Sequence, residues 1–236
     1  MSLADPSVRL LPTVSPDAAV DGSAASTSGL SSAPGGIYAA FAKRLLDLLI
    51  VATVAGLVLP LVLVLLVIVA ADGHSPIYGQ DRLGRHGRVF RIWKLRTMVP
   101  DADRVLEAIL SSDPEVRAEW DRHQKLRRDP RVTRVGAVLR KTSLDELPQL
   151  YNVLKGEMSI VGPRPMLPDQ RDLYPGEDYF LLRPGITGLW QVSARHESSF
   201  AERARFDRRY AQSLSFRVDL AILLRTVRVV LTGTGC

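Results

Sequence analysis

From Leu48 to Ala71 the chain runs for 24 residues without a charged side chain, and most of them are Leu, Val, Ile or Ala. As a helix, such a run is long enough to cross a hydrocarbon core of about 30 Å. Two features set it apart from an ordinary anchor. Pro60 sits in its middle, where it removes a backbone hydrogen bond and crowds the carbonyl four residues earlier. Basic residues flank both ends, Lys43 and Arg44 before it and Arg82, Arg85, Arg88 and Arg91 after it, so charge bias assigns no orientation. A kinked re-entrant hairpin with both ends on one side meets both observations. Spanning helices also tolerate proline, so the residues by themselves leave both topologies open.

The rest of the chain is organised around this run. Residues 1 to 36 are rich in Ser, Ala, Gly and Pro and carry few large apolar groups, which predicts a disordered tail. They have no basic segment followed by an apolar core, so no secretory signal is read there. Residues 37 to 73 are expected to form the membrane segment, as a re-entrant hairpin or a span, and residues 74 to 236 one catalytic or binding domain. Within the latter, "PIYGQDRLGRHGRVFRIWKLRTM" has turn glycines at Gly79, Gly84 and Gly87 and then a strand-like run. Asp101 is placed to cap a helix "ADRVLEAILSS", and Pro114 to open the next. From Pro165 to about Phe200 the pattern is loop-like. Helical periodicity returns in "FAERARFDRRYAQSL" and in "VDLAILLRTVRVVL", where Arg225 and Arg228 share a face. The last segment reads as an interfacial amphipathic helix or as a core helix with a basic edge. The fold class is therefore α+β and mainly helical, with short strands.

Charge and rare residues narrow the chemistry. The only cysteine is Cys236 and the four histidines are scattered, which excludes a disulfide framework and a zinc site of usual spacing. Any metal should be a hard, oxygen-liganded ion such as magnesium. A net charge of +6 favours anionic partners. Aromatics at 6% offer few platforms for single strands, so nucleic acid is not expected. The segment from Arg122 to Arg140 is dense in Lys and Arg and leads directly into "KTSLDELPQL", with adjacent acids at Asp145 and Glu146. Ser143 and Glu146 fit an S-x-x-E capping box. The alternative is chemistry: Pro148 places the acids at or just before a helix N-terminus, where a carboxylate stays ionised and, with magnesium, attracts a diphosphate. Neighbouring helical residues project about 100° apart, so the two acids need different roles. Asp101 and Asp103 form a D-x-D pattern that suits a metal-dependent glycosyltransferase, although acids at a helix start also complement its dipole. Phosphate-loop and dinucleotide fingerprints are absent.

The stretches "RVTRVGAVLRKTSLDELPQLYNVLKGEMSIVGPRP", "RPGITGLWQVSAR", "QDRLGRHGRVFRIWKLRTM" and "KRLLD" with its apolar continuation closely resemble the monotopic phosphoglycosyl transferases, from about Ala40 to Leu231. The resemblance implies a re-entrant helix broken at Pro60, with Lys43 and Arg44 at its basic start. It implies Asp145 as nucleophile and magnesium ligand, with Glu146 completing the dyad as magnesium partner or proton acceptor. Lys94, Arg96, Arg140 and Arg164 become candidates to hold phosphates. Pro184, Gly185 and Gly188 are expected to shape a loop near the nucleotide sugar. The implied reaction transfers a hexose 1-phosphate from a UDP-sugar to polyprenyl (undecaprenyl) phosphate at the cytoplasmic face of the inner membrane, with loss of UMP, in exopolysaccharide assembly. Membrane lipids are partners, and a homo-oligomer is left open. Ala194 stands where the family usually has glycine before the arginine matching Arg195. No extra membrane helices precede the apolar run, so a minimal catalytic form is expected. The competing readings are the Asp101/Asp103 glycosyltransferase and a basic, membrane-tethered anion-binding module without catalysis.

Overall fold

The computed structural model describes residues 38–123, 126–193 and 199–231, together with Gly36. The expected tail and the Ala194–Arg195 pair lie outside the described residues. What is described is mostly helical, with two separate two-stranded sheets.

A short π-turn, Tyr38–Ala42, leads into α1, Lys43–Ala70, a helix of 28 residues and about 42 Å that stays helical through Pro60, where a break was expected. The carbonyl that a proline at 60 leaves unpaired belongs to Gly56, which has open space around it. Burial is concentrated at the two ends of α1: Asp47 and Val51 near the start, Leu65 and Val69 near the finish. None of residues 52 to 64 is buried.

Both ends are fastened to the same folded body. At the start, Lys43 donates to Asp219 at 2.6 Å, and the Asp47 carboxylate accepts from Ser159 Oγ at 3.0 Å and Ile160 N–H at 2.9 Å. Arg44 donates to the carbonyls of Val153 and Leu154, at 2.6 and 3.0 Å. The two basic residues expected at the start of the membrane hairpin are thus committed to the domain. At the finish, Leu65 and Val69 pack with Leu95 and Leu139. Arg96 binds the Val69 carbonyl at 3.1 Å and the Asp72 carboxylate at 2.5 Å.

Strands β1, Ile77–Leu83, and β2, Val89–Leu95, form an antiparallel hairpin with Ile77 opposite Leu95 and Leu83 opposite Val89. Gly84 and Gly87 are turn residues as expected, whereas Gly79 lies within β1. It is glycine for lack of space, since a Cβ there would sit 2.5 Å from Arg91 Nε and 2.9 Å from the Trp93 ring. Strand alternation puts Lys94 on the same face as the buried Phe90 and Ile92. That face is turned toward the core.

Helices α2, Ala102–Ser112, and α3, Pro114–His123, come next. Asp113 caps α3, accepting from the N–H groups of Glu115 and Val116, but Asp101 does not cap α2. It adopts a left-handed conformation at φ 55°, so its carboxylate does not reach the first-turn N–H groups. Then follow α4, Arg134–Thr142, and α5, Gln149–Lys155. Strands β3, Ser159–Val161, and β4, Gly185–Thr187, pair in parallel. The crossover between them, expected to be loop-like, contains two 3₁₀ turns, Pro168–Leu173 and Asp178–Leu181. The chain continues through α6, Leu189–Ser193, α7, Arg203–Ser213, and α8, Phe216–Leu231.

The main core gathers Val51, Phe90, Ile92, Val153, Met158, Ile160, Tyr210 and Ile222, and so ties α1, the hairpin, α5, β3, α7 and α8 together. Helix α8 turns Asp219 and Ile222 inward, while Phe216, Leu220, Leu224, Val227 and Val230 lie exposed. Those five recur at spacings of three and four, which is one apolar stripe facing outward.

Candidate active site

The Asp145–Glu146 pair sits on a single 3₁₀ turn, Leu144–Glu146, between α4 and α5. Ser143 makes the junction in a left-handed conformation, φ 57°, and its side chain caps nothing. The capping-box reading therefore fails on both residues. Ser143 faces the wrong way for it, and the Glu146 carboxylate turns to Lys94, with Nζ at 2.8 Å, and to Arg164, with a guanidinium nitrogen at 3.5 Å.

Asp145 is only 7% exposed, and among the described residues no hydrogen bond reaches its carboxylate. Burial is the largest influence and pushes its pKa up, with the Glu146 charge adding to the rise; Lys94, Arg140 and Arg164 act in the opposite direction. A buried carboxylate that takes no hydrogen bond among the described residues and feels three cations is suited to meet an electrophile that carries negative charge. Arg140 is fixed by a bond from Nε to Thr97 Oγ1 at 2.9 Å, and its own burial lowers its pKa.

Of the four predicted phosphate ligands the fold thus gathers three, Lys94, Arg140 and Arg164, around the dyad. Arg96 is placed elsewhere. Besides closing the end of α1, it binds the Ser75 carbonyl at 2.8 Å. Asp101 and Asp103 are not among the charges acting on Asp145, and among the described residues no cluster of three or more His, Cys, Asp or Glu could hold a metal.

Several residues that hold this arrangement carry weaker sequence signals. Asn152 is fully buried; its amide donates to the Arg91 carbonyl at 2.7 Å and to Glu157, and its oxygen accepts from Trp93 N–H at 3.2 Å. It locks the helix that follows the dyad to the strand that carries Lys94. An asparagine inside the short apolar run "LYNVL" was its only trace. The buried pair Asp129–Arg131, at 2.7 Å, lies just before α4, with Arg131 also 5.6 Å from the Trp120 ring.

Glycines set two seams. Pro184 is fully buried, and Gly185 and Gly188 pack backbone against backbone on Gly162: added Cβ atoms would fall 2.1 Å from Gly162 N and 2.0 Å from its carbonyl oxygen. These three residues, expected beside the nucleotide, therefore position the turn that carries Arg164. The second seam lets α4 approach the segment that follows β2, where a Cβ on Gly136 would lie 2.0 Å from the Thr97 oxygen. Thr133 N–H donates to that same carbonyl at 3.0 Å. Gly136→Ala is expected to cost about 1–3 kcal/mol, a fall in melting temperature of several degrees, because backbone rather than a flexible side chain must move. Gly56→Ala, placed in open space, is the control that should leave melting unchanged or raised, and equal melting of both proteins would refute the seam.

A family model described as bacterial sugar transferase matches residues 38–233. The chain is 49% identical over 197 residues to a UDP-galactose-lipid carrier transferase of Erwinia amylovora, covering 83% of this chain and 41% of that protein. It is 46% identical over 197 residues to an undecaprenyl-phosphate galactose phosphotransferase of Salmonella typhimurium, with the same two coverages of 83% and 41%. It is also 46% identical to the exopolysaccharide production protein ExoY of Rhizobium meliloti, covering 82% of this chain and 87% of that protein. The first two relatives are thus more than twice as long as the part matched here. The dyad turn, the hairpin and the glycine seams all fall inside the matched span, and the chain belongs to the bacterial sugar transferase family.

Proposed function

We propose that this protein transfers a hexose 1-phosphate, with galactose or glucose as the sugar, from a UDP-sugar to undecaprenyl phosphate. The observation that carries this reading is a buried Asp145 whose carboxylate takes no hydrogen bond among the described residues, beside a Glu146 that binds Lys94 and Arg164 and within the field of Lys94, Arg140 and Arg164. An oxygen of Asp145 attacks the sugar-bearing phosphorus. The bond from that phosphorus to the bridging oxygen breaks, its electron pair stays on oxygen, and UMP leaves. An oxygen of the polyprenyl phosphate then attacks the same phosphorus and releases Asp145. Lys94 and Arg164, already held by Glu146, and Arg140, held by Thr97, are cations prearranged for the charge of the diphosphate.

The dyad's donor set fits a magnesium ion, because adjacent carboxylates supply the hard oxygens that this ion takes together with substrate phosphates. Asp145 and Glu146 would hold it, and when bound it neutralises phosphate charge. A UMP-release assay with undecaprenyl phosphate, magnesium and a panel of UDP-sugars tests the reading. Release of UDP instead of UMP would transfer support to direct glycosyl transfer, and no release from any donor would remove the transferase reading.

The membrane topology we propose is re-entrant, with residues 37–73 as the embedded hairpin and residues 74–236 as the domain at the cytoplasmic face of the inner membrane. Support comes from both ends of α1 docking on one body while residues 52 to 64 stay unburied around Pro60. The outward stripe of α8 is suited to lie in the same interface, with the exposed Arg217 beside it to meet anionic headgroups. Cysteines placed before Tyr38 and at the exposed His74 should both be labelled from the same side of sealed vesicles. Labelling from opposite sides would establish a spanning helix.

A further inference from the structure

Beyond the dyad, a second group of cations collects around the turn that carries Arg164. Arg82, on β1, donates to the carbonyl of Pro165 at 3.4 Å and to Gln80 Oε1 at 2.5 Å. Next to it, Leu83 N–H donates to the Met166 carbonyl at 3.0 Å, so β1 is stitched along the residues that follow Arg164. Arg203, at the start of α7, lies 4.2 Å from the ring centre of Trp190 and 4.7 Å from that of Phe200. Trp190 stands two residues beyond Gly188, whose backbone abuts Gly162. Arg82 thus lies on the turn that carries Arg164, and Arg203, held between Trp190 and Phe200, is near enough for all three guanidinium groups to act on one another as like charges.

Their charge is poorly balanced by protein. Arg82 Nε and Arg203 Nε are both buried and make no hydrogen bond. Burial comes first in lowering Arg82 to about 10 and Arg203 to about 9, with Arg164 pressing on both as a like charge. The acids acting on them are Asp169 toward Arg82 and Asp207 toward Arg203. Asp207 is itself raised to about 7 by burial, so it is only partly ionised at neutral pH. All three arginines remain partly exposed, and Arg164 also touches Glu146, which joins this cluster to the dyad. Bringing like charges together and leaving their donors unpaired costs stability, and an anion with several acceptor oxygens offsets it.

We infer that Arg82, Arg164 and Arg203 form the docking site for the nucleoside monophosphate part of the donor. The inference rests on the transferase reading above and assigns the side of the dyad from which the nucleotide leaves. When the phosphorus–oxygen bond breaks, the bridging oxygen becomes a terminal oxygen of UMP and the α-phosphate gains a negative charge. The forked guanidinium groups receive that charge and keep their protons throughout. The aromatic rings of Trp190 and Phe200 hold Arg203 in place for it.

Binding of UMP and of uridine to the full-length protein in nanodiscs, measured by calorimetry with magnesium present, tests the site. Arg82→Gln and Arg203→Gln should each weaken UMP by about tenfold or more and leave uridine unchanged. Lysine variants should recover part of the loss. In stopped-time assays both variants should slow UMP release while transferring a preformed phosphosugar adduct to the lipid at the normal rate, a split that a general loss of structure does not produce. Unchanged UMP affinity in both variants, equal losses for UMP and uridine, or no UMP binding by the parent protein would overturn the site. Should Arg203→Gln fail to fold, the Arg82 variants decide the matter, since Arg82 lies on a separate element. Arginine-dependent UMP binding by a parent protein that releases no UMP from any donor would sink the transferase reading and leave the anion site standing.

Discussion

Asp145→Asn protein is expected to fold, to remain with the membrane and to lose turnover by on the order of 10⁴-fold or more. The substitution preserves shape and removes the anionic oxygen that forms the bond to phosphorus in the proposed reaction. Its effect on stability is expected to be small, because two consequences oppose each other. Relief of a buried charge favours the variant, while Lys94, Arg140 and Arg164 lose an attractive partner. A second consequence concerns pH. Burial raises the Asp145 pKa above the ordinary aspartate value, and in the proposed reaction only the ionised form attacks. The rate of the first half-reaction should therefore fall as pH drops through that raised pKa, at a higher pH than an exposed aspartate would give. Single-turnover UMP release between pH 4 and 8 measures this, and mass spectrometry of protein trapped with donor locates the adduct. A phosphosugar attached to the Asn variant, or to another side chain of the parent, would end the proposal.

How far the sequence led can be judged from particular residues. The apolar run, the strand in "GRVFRIWKL" and the last two helices were legible, because each rests on local periodicity, whereas β1, which contains the expected turn residue Gly79, was not. Lys94, Arg140 and Arg164 were legible as phosphate candidates only through the family likeness, and the fold brings all three to the dyad. Arg96 shows the limit. It stands two residues from Lys94 in "KLRTM", but β2 has ended there, and the guanidinium turns to the end of α1. The same limit explains Lys43 and Arg44, whose charges suit a membrane border equally well until their partners in α8 and α5 are known. Ser143 and Glu146 matched a capping pattern that a single left-handed residue undoes. Long-range choices of this kind leave no periodic trace.

The largest loss of stability should come from Asp219, far from the chemistry. It is 1% exposed and accepts from Lys43, Tyr38 and Tyr210, each at 2.6 Å. One side chain therefore joins the π-turn, the start of α1, α7 and α8. Asp219→Ala strands the Lys43 ammonium and the Tyr38 hydroxyl, both largely withdrawn from water, and leaves Tyr210 only its longer bond to the Val161 carbonyl at 3.3 Å. The expected cost is about 3–5 kcal/mol, or a melting temperature lower by roughly 10 °C for a chain of this size. Asp219→Asn keeps an acceptor oxygen but loses the ion pair, so it should fall between the two. Adding Lys43→Met to the Ala variant removes the stranded charge and should restore part of the stability. Thermal unfolding of the four proteins in one detergent, with the transition followed by circular dichroism, measures the series. If Asp219→Ala melted within 2 °C of the parent, with the resolution implied by about 2–4 °C per kcal/mol, α1 would have to be held by its other ties alone. A rescue by Lys43→Met, by contrast, would identify the unpaired ammonium as the dominant cost. It would also explain why a basic residue at the edge of an apolar helix belongs to the protein interior and not to the lipid surface.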